Sequence, residues 1–383
     1  MYTRSQKFHN SGKNSFFFWG ARQTGKSTLL KHSYPEALYI DLLKTDVRYK
    51  YTKQPSLLRQ ELLIESGFDQ PIIIDEIQKI PDLLDEVHWL IENKNLQFIL
   101  SGSSPRKILR SNVNLLGGRA FKYSLFPLSF SEIPDFNLNK AINNGLIPRM
   151  YDAESDIDQK LAGYIGSYLE DEIIAETRIR NVEIFSKFLE SAAFSNGEIV
   201  NYSNIASDCG VSSTTVKEYF NILVESLIGY WLPSFQKRPK RRIVSAPKFY
   251  FFDLGVSNYL LKRKNIEQGS ELYGYAFEHF IFMELQAHRH YSGQNYPITY
   301  WRTTTGNEVD FILGDHEVAI EIKSTNLVQS KHLKGLKYFA EEYKTRMQIV
   351  VSNDPVPRMI TEDIMVLPWK IFLTKLWNGE IMK

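Results

Sequence analysis

Short, uninterrupted apolar runs separated by segments of helical character dominate the first third of the chain. They are FFFW (16–19), ALYIDL (37–42), PIIIDEI (71–77), QFILSGS (97–103) and FKYSLFPL (121–128). Because the apolar residues do not alternate with polar ones, the runs predict strands that are covered on both faces. A parallel sheet with helices on either side, and hence an α/β fold, is the expected architecture of this region.

The pattern changes after residue 136, and we divide the chain into modules at 1–136, 137–196, 197–255 and 256–383. The second module is predicted to be a helical lid whose clearest helix is LAGYIGSYLEDEIIAE. The third is predicted to hold three short helices followed by two strands, GYWLPSF and APKFYFFD. The fourth begins with the helix YAFEHFIFMELQAH and continues with the strands ITYWRTT, EVDFIL and VAIEIKS, which indicates a second α/β module.

Composition narrows the class of protein without selecting a function. A length of 383 residues suits two or three modules, and 43% hydrophobic residues is typical of a folded protein. A single cysteine, Cys209, excludes a disulfide framework and any cysteine-based zinc site, and it fits a reducing cytoplasm. No apolar run approaches the roughly 20 residues of a membrane-spanning helix. We therefore expect a cytoplasmic protein with no membrane partner.

A phosphate-binding motif follows the first predicted strand. The segment 20–27 fits G-x-x-x-x-G-K-[ST] and opens a helix, which is the context this motif requires. Its glycines let backbone N–H groups surround phosphate oxygens, while Lys26 reaches the β- and γ-phosphates and Ser27 holds Mg²⁺. The predicted nucleotide-binding residues here are Gly20, Ala21, Arg22, Gln23, Thr24, Gly25, Lys26, Ser27 and Thr28. The motif predicts ATP and Mg²⁺ as cofactors.

Two acidic residues end the third predicted strand. Asp75 is placed to hold Mg²⁺, and Glu76 to orient or deprotonate the attacking water. The alternative for Glu76 is a solvated charge that follows a strand. Ser103, or Ser101, ends the fourth strand and is a candidate sensor of the γ-phosphate, although either serine could instead cap the next helix.

An arginine from a neighbouring copy would complete such a nucleotide site. Arg119, between a helix and the fifth strand, is the favoured candidate, and Arg106 and Arg110 are weaker ones. If Arg119 acts in this way, the protein is a homo-oligomer. The alternative is a surface arginine that serves solubility.

Four polar residues of the last module match the pattern of a PD-(D/E)xK nuclease. Glu278 lies on a predicted helix, Asp310 on the strand EVDFIL, and Glu321 and Lys323 share one face of the strand VAIEIKS. Asp310 and Glu321 would hold Mg²⁺, Lys323 would position the attacking water, and Glu278 would support a second metal or the water. The alternative is a fold kept for binding or packing that cuts nothing.

The third module has the character of a winged helix-turn-helix. Its second helix begins near Ser212 and exposes Thr214, Thr215 and Lys217, the usual base-contacting positions. The segment 236–242 would form the tip of the wing, and five of its seven residues are cationic, which suits phosphate contacts. DNA is thus the expected partner. A spacer or docking surface for a protein partner is the alternative.

Taken in order, several segments resemble those of bacterial and archaeal AAA+-type ATPases that carry a winged helix and a restriction-endonuclease-like C-terminal module. The matching segments are GARQTGKSTLL, PIIIDEIQKIP, FILSGSSPRKI, LLGGRAFKYSLFPLSFSEI, APKFYFFDLG, and GNEVDFIL followed by AIEIKS. The resemblance spans nearly the whole chain and implies a P-loop NTPase fold in the first module. It implies little about the cellular role.

We therefore expect an ATP-hydrolysing protein that acts on DNA and carries a metal-dependent nuclease module. The alternative is a regulatory or signalling ATPase whose other modules bind a protein partner, or bind DNA without cleavage.

Overall fold

The structure is a computed structural model and describes residues 2–8, 14–65, 67–110, 121–168, 181–237 and 241–382. Its strands fall into two large sheets and one hairpin. They are β1 (Phe16–Trp19), β2 (Tyr39–Asp41), β3 (Ile72–Asp75), β4 (Phe98–Gly102), β5 (Phe121–Ser124), β6 (Gly229–Leu232), β7 (Lys248–Phe251), β8 (Ile298–Arg302), β9 (Glu308–Leu313), β10 (Val318–Lys323), β11 (Met347–Ser352), β12 (Arg358–Met359) and β13 (Ile364–Pro368).

The α-helices of the described residues surround these sheets. They are α1 (Lys26–Ser33), α2 (Thr45–Lys53), α3 (Leu57–Leu62), α4 (Leu83–Lys94), α5 (Arg106–Arg110), α6 (Leu138–Asn144), α7 (Pro148–Tyr151), α8 (Ile157–Tyr168), α9 (Val182–Phe194), α10 (Tyr202–Cys209), α11 (Ser213–Glu225), α12 (Leu254–Leu260), α13 (Glu271–Tyr291), α14 (Lys334–Ala340) and α15 (Trp369–Trp377). None of them is long and apolar enough to cross a bilayer.

The N-terminal module is the predicted parallel sheet, in the order β2-β3-β4-β1-β5. Every pair in it is parallel. Strands β1, β3 and β4 are buried along their whole length, because their apolar side chains meet helices on both faces. The α/β prediction is confirmed, and β1 and β3 end at the same edge of the sheet.

Helix α9 packs on the helix-turn-helix that follows it. Its Phe185 and Phe188 contact the ring of Tyr219 on α11, and Phe188 also contacts Phe220. One apolar cluster therefore crosses the boundary drawn at 196/197. The described part of the third module contains two helices, α10 and α11, and α9 takes the place of the predicted third.

The C-terminal sheet has the order β12-β13-β11-β10-β9-β8 and mixes parallel and antiparallel pairs. Its edge strand β8 is covered by the chain that joins β6 to β7. Phe235 N donates to Tyr300 O at 2.7 Å, and Val244 N donates to Arg302 O at 2.8 Å. Main-chain hydrogen bonds thus attach the hairpin to the sheet edge, which would otherwise expose unpaired groups.

Candidate functional site

The loop between β1 and α1 has the backbone that a phosphate cradle needs. Gln23 and Gly25 have positive φ angles of 60° and 97°. At Gly20 a Cβ atom would lie 2.5 Å from the carbonyl oxygen of Leu125, so a side chain there is excluded by contact with β5's continuation. Sterics therefore favour glycine at Gly20 and Gly25, as the motif indicated, whereas Gln23 adopts its positive φ with a side chain.

Lys26 lies inside this loop. Its Nζ donates to the carbonyl oxygens of Gly20 at 2.7 Å and Ala21 at 3.1 Å, and the residue is buried. The Thr24 hydroxyl also donates to Ala21 O, at 2.8 Å. The ammonium is therefore held at the mouth of the loop, where a phosphate group would offer it better acceptors.

Of the other predicted nucleotide-binding residues, Arg22 contacts α8 of the second module. The Tyr164 hydroxyl on α8 donates to the carbonyl of Arg22 at 3.1 Å, and the Arg22 guanidinium stands over the ring of Tyr168. Thr28 is exposed in the first turn of α1. Contacts with α8 tie the outer side of the loop to the lid.

Asp75 emerges at the end of β3 beside the start of α1. Its Oδ2 accepts a hydrogen bond from Ser27 Oγ at 2.7 Å and another from the Tyr39 hydroxyl, and its Oδ1 accepts from the amide of Glu76 at 3.1 Å. Burial and the Asp75 charge raise the pKa of Tyr39, so this phenol stays a donor. Ser27 and Asp75, the two predicted metal-binding residues of this site, thus lie side by side.

Glu76 has a left-handed backbone, with φ at 60°, an unfavourable conformation for a residue with a side chain. Its carboxylate accepts from Gln78 Nε2 at 2.5 Å and from Ser103 Oγ at 3.2 Å. Gln78 also donates to Ser103, at 2.9 Å. The structure therefore brings Glu76 and Ser103 together through Gln78, which sequence reasoning did not single out although it follows Glu76 by two positions.

A second residue missed from sequence is Arg4. Its guanidinium donates to Thr24 O at 2.5 Å and to Phe126 O at 2.7 Å, and forms an ion pair with the buried Glu132 at 3.0 Å. It thereby ties the phosphate loop to the segment after β5. Nothing in the sequence signals this role, because Arg4 is remote from the motif along the chain.

The candidate arginine fingers Arg119 and Arg106 have different outcomes in the structure. Arg119 lies outside the described residues, so its assignment as a finger stays a prediction. Arg106, at the start of α5, is buried and pairs with Glu225 at the end of α11, with 2.5 Å between Nη1 and Oε2. This contact links the segment after β4 to the helix-turn-helix.

In the C-terminal module, Asp310 and Glu321 lie on neighbouring strands. Ile312 and Ala319 face each other across β9 and β10 and belong to one apolar cluster. Each acid is two positions along its strand from one of these residues, so both acids point to the same face of the sheet. Lys323 is on that face too, with its Nζ 2.6 Å from Glu321 Oε1.

Burial and mutual repulsion govern the electrostatics of this group. Burial, followed by the charges of Glu321 and Glu278, raises the pKa of Asp310 well above its usual range. Burial raises the pKa of Glu321 to about 7, although Lys323 opposes the shift. For Lys323 burial acts in the opposite sense, but Asp310 and Glu321 outweigh it and raise its pKa. The two acids are thus held close together at a free-energy cost.

Asp310 and Glu321 have carboxylate oxygens that could bind a metal ion. Glu321 is only 7% exposed, and its Oε2 has no hydrogen-bond partner among the described residues. Asp310 Oδ2 accepts from the amide of Ile322 at 2.7 Å. Within the same described ranges, no set of three or more His, Cys, Asp or Glu side chains is arranged around one metal position. An ion here would therefore rely on two carboxylates, completed by main-chain oxygen or water.

Glu278 has other partners. Its Oε1 accepts from the Tyr250 hydroxyl at 2.5 Å and lies 3.3 Å from Nζ of Lys248. Both donors come from β7 of the middle module, which sequence reasoning did not connect with this site. The signal available was a lysine and a tyrosine in an otherwise apolar strand.

The basic segment predicted as a wing tip contacts the C-terminal module through two of its described residues, and its role in DNA contact stays a prediction. Lys237 pairs with Asp315, and Arg241 pairs with Glu341 and Glu342. Residues 238–240 of the segment lie outside the described ranges. By contrast, Thr214 and Lys217 on α11 are exposed.

Comparison with known families assigns each part of the chain separately. Residues 13–134 match the AAA domain, residues 135–267 match a domain of unknown function (DUF8612), and residues 273–372 match another (DUF4143). Together with the loop geometry, the AAA match makes the N-terminal module an AAA-type P-loop ATPase module.

Two similar proteins carry the description "uncharacterized protein". One from Mycobacterium tuberculosis is 26% identical over 324 residues, covering 80% of this chain and 69% of that protein. One from Methanocaldococcus jannaschii is 22% identical over 402 residues, covering 93% and 87%. The ORC2 protein of Aeropyrum pernix in its ADP form aligns with a TM-score of 0.32 at 13% identity, over 57% of this chain and 81% of that one. A TM-score this low supports no argument about the present chain.

Proposed function

We propose that this protein binds and hydrolyses ATP and uses the nucleotide cycle to act on DNA. The observation that carries the proposal is the gathering of Lys26, Ser27, Asp75 and Glu76 at one edge of the parallel sheet, with hydrogen-bond contacts between Ser27 and Asp75. Each side chain is of the type that phosphoryl transfer requires at its position.

The residues of the loop would share the work of binding. Lys26 would exchange the carbonyls of Gly20 and Ala21 for the β- and γ-phosphates of ATP, because charged phosphate oxygens are stronger acceptors than carbonyls. Ser27 and Asp75 fit Mg²⁺, since a hydroxyl and a carboxylate already meet there. Bound Mg²⁺ would supply neutralisation of phosphate charge.

Glu76 would orient the attacking water. Its backbone is strained, as described above, and Gln78 and Ser103 donate hydrogen bonds to its carboxylate. The position of the carboxylate is therefore set before the nucleotide binds. Such preorganisation favours the geometry of attack. Ser103 would in turn sense the γ-phosphate through its hydrogen bonds with Glu76 and Gln78.

DNA contact is proposed through α11 and not through the wing. Thr214, Thr215 and Lys217 lie in the first turns of α11, and Lys217 is exposed. Two of the three described cations of the segment 236–242, Lys237 and Arg241, already pair with acids of the C-terminal module. A recognition helix is therefore the better candidate for base and phosphate contacts.

The C-terminal module is proposed to cleave DNA with the help of a divalent cation. The buried Glu321 Oε2 without a partner and the neighbouring Asp310 fit such an ion, and Lys323 lies beside them. A divalent cation would supply Lewis acidity at this site. Lys323 would orient the water.

A second candidate function is regulation by an ATPase whose C-terminal module binds DNA or a protein partner without cutting. The observation that favours it is the pairing of Glu278 with Lys248, which withdraws one of the four predicted nuclease residues from the acidic group.

The test is ATP turnover with duplex, single-stranded and branched DNA, with RNA as the comparison. We expect stimulation by DNA only. Glu76→Gln should keep ATP bound and stop turnover, whereas Glu36→Gln, at an exposed position, should change neither. Turnover by Glu76→Gln at the normal rate would contradict the site assignment, and equal rates with and without DNA would favour the regulatory alternative.

Cleavage is tested separately with Mg²⁺ or Mn²⁺ in the same reactions. Asp310→Ala and Lys323→Ala should each remove cleavage and leave ATP turnover unchanged, because the two sites lie in different modules. Cleavage that survives both substitutions would refute the nuclease proposal.

A further inference from the structure

Lys248 belongs to the middle module, yet its charge lies in the C-terminal acidic group. Its Nζ is 2.7 Å from Glu308 Oε1 and 3.3 Å from Glu278 Oε1, and its side chain is 4% exposed. It also stands over the ring of Tyr300 at 5.5 Å. The strand β7 thus carries a cation into a site whose acids come from α13 and β9.

The Lys248 side chain keeps its positive charge. Burial lowers the pKa of Lys248, but the carboxylates of Glu278, Glu308 and Asp310 raise it by more, and the net shift is upward. A buried ammonium is tolerated only when it is paired in this way. Lys248 therefore stays protonated throughout the physiological range.

The carboxylate oxygens of Glu278 and Glu308 that face Lys248 already have hydrogen-bond or ion-pair partners. Glu278 Oε1 receives both the Tyr250 hydroxyl and Lys248, while Glu308 receives Lys248 at Oε1 and Arg302 at Oε2, the latter at 3.3 Å. Glu321 Oε2 is different, since it is buried without a hydrogen-bond partner among the described residues. The buried carboxylate oxygen without a hydrogen bond thus lies on the Glu321 side of the group, whereas the oxygens that face Lys248 are already paired.

We infer that Lys248 is a built-in counter-ion that holds Glu278 and Glu308 out of metal coordination and restricts the C-terminal site to one divalent cation, at Asp310 and Glu321. The inference rests on the proposed metal site and deepens it. It assigns Glu278 to positioning and not to a second metal, and it makes the middle module part of the C-terminal site.

The experiment is a Mn²⁺ titration of the full chain without nucleotide, followed by electron paramagnetic resonance at about pH 8, above the reference pKa values of Asp and Glu. All proteins in the series, including the parent, carry Asp75→Asn, which removes a predicted metal ligand of the nucleotide site. The parent should bind one Mn²⁺. Lys248→Met should bind a second Mn²⁺, because it frees Glu278 and Glu308 and removes a competing cation. Lys264→Met removes an exposed lysine that pairs with Asp158 and should leave the count at one.

Glu278→Gln provides a measurement that does not depend on the stability of Lys248→Met. If Lys248 holds Glu278 away from the ion, this variant still binds one Mn²⁺ and loses much less affinity than Glu321→Gln, because Glu278 acts on the site through its charge alone. Were Glu278 a ligand, its substitution would abolish Mn²⁺ binding as Glu321→Gln does, whereas the loss of a nearby charge alone costs on the order of tenfold.

The outcomes separate the inference from the proposal beneath it. One Mn²⁺ bound by a folded Lys248→Met protein, or complete loss of Mn²⁺ binding in Glu278→Gln, would overturn the role of Lys248 and leave the metal site intact. Glu321→Gln should abolish Mn²⁺ binding. If it does not, the proposed metal site itself is refuted, and with it the inference.

Discussion

The nucleotide site and the C-terminal acidic site treat their carboxylates in opposite ways. Asp75 accepts hydrogen bonds from two hydroxyl groups and an amide, so its charge is satisfied within the protein. Asp310 and Glu321 are buried close to each other, and burial raises the pKa of both. The first site is therefore stable before its ligand arrives, while the second stores unfavourable charge that a cation would relieve.

The two sites also differ in how they are assembled. One loop and the end of β3 supply the central groups of the nucleotide site. The C-terminal site takes Glu278 from α13, Asp310 from β9, Glu321 from β10, and Lys248 from a different module. A site assembled from several elements depends on their packing, which makes it sensitive to module arrangement.

The largest effect is expected in the nucleotide site. Lys26→Ala removes a buried charged contact, for which a loss of about 2–5 kcal/mol is typical, so ATP affinity should fall by at least about thirtyfold. Calorimetric titration with a non-hydrolysable ATP analogue measures this. Lys31→Ala, which alters an exposed lysine of the same helix, should bind normally. Mn²⁺ binding at the C-terminal site should be unaffected, and a loss there would break the separation of the two sites.

Removing one stored charge should stabilise the C-terminal site. Native Glu321 keeps its proton to about pH 7, whereas the unfolded chain releases it near pH 4.5, so stability falls as the pH rises through this window. Glu321→Gln cannot ionise, and its advantage should reach roughly 1–3 kcal/mol above pH 7, since one pKa unit corresponds to about 1.4 kcal/mol.

Urea unfolding at both ends of that window checks the sign. Glu317→Gln, an exposed neighbour in the turn before β10, is the control and should show no gain. A Glu321→Gln protein that is less stable than the wild type above pH 7 would show that the ion pair with Lys323 outweighs the burial of Glu321.

A smaller effect is expected where the nucleotide module meets the middle module. Glu225→Gln removes the ion pair between Glu225 and the buried Arg106, so we expect ATP turnover to fall by the equivalent of about 0.5–2 kcal/mol, the usual range for coupling through a packed contact. Steady-state kinetics should show this loss mainly in kcat. Glu183→Gln, from an exposed pair with Lys187, should leave turnover unchanged. Equal rates in both variants would mean that the contact is structural only.

The smallest effect concerns DNA and compares the exposed helix with the docked wing. Lys217→Ala should reduce the slope of log affinity against log salt by about 0.9, the value of one lost phosphate contact on duplex DNA. Arg241→Ala should leave the slope unchanged, because Arg241 already pairs with Glu341 and Glu342. The reverse result would return DNA contact to the wing.

Much of the nucleotide site could be predicted because its chemistry is contiguous. A turn that must admit phosphates requires glycine at Gly20 and Gly25, and the apolar run before Asp75 places that carboxylate at the end of a buried strand. Alternation along β10 likewise placed Glu321 and Lys323 on one face. Local geometry is enough for such predictions, since the spacing of residues along a strand or turn is the same in every fold.

The ion pairs of the basic segment 236–242, by contrast, could not be predicted from the sequence. A basic run gives no sign that acids from distant segments, such as Asp315 and Glu341, will meet it. The same limit hid Arg4, which lies far from the loop it supports along the chain. In each case the missing information was the partner, not the residue.

The sequence by itself determined the parallel sheet, the phosphate loop, and the face on which Asp310 would have to lie to meet Glu321. Only the tertiary structure decided that β7 delivers Lys248 to Glu278 and Glu308, and that the chain between β6 and β7 covers the edge of the C-terminal sheet. The physical reason is the distance along the chain over which each interaction acts. Backbone sterics and side-chain periodicity act over a few residues, whereas a buried ion pair or a covered sheet edge depends on how whole modules pack.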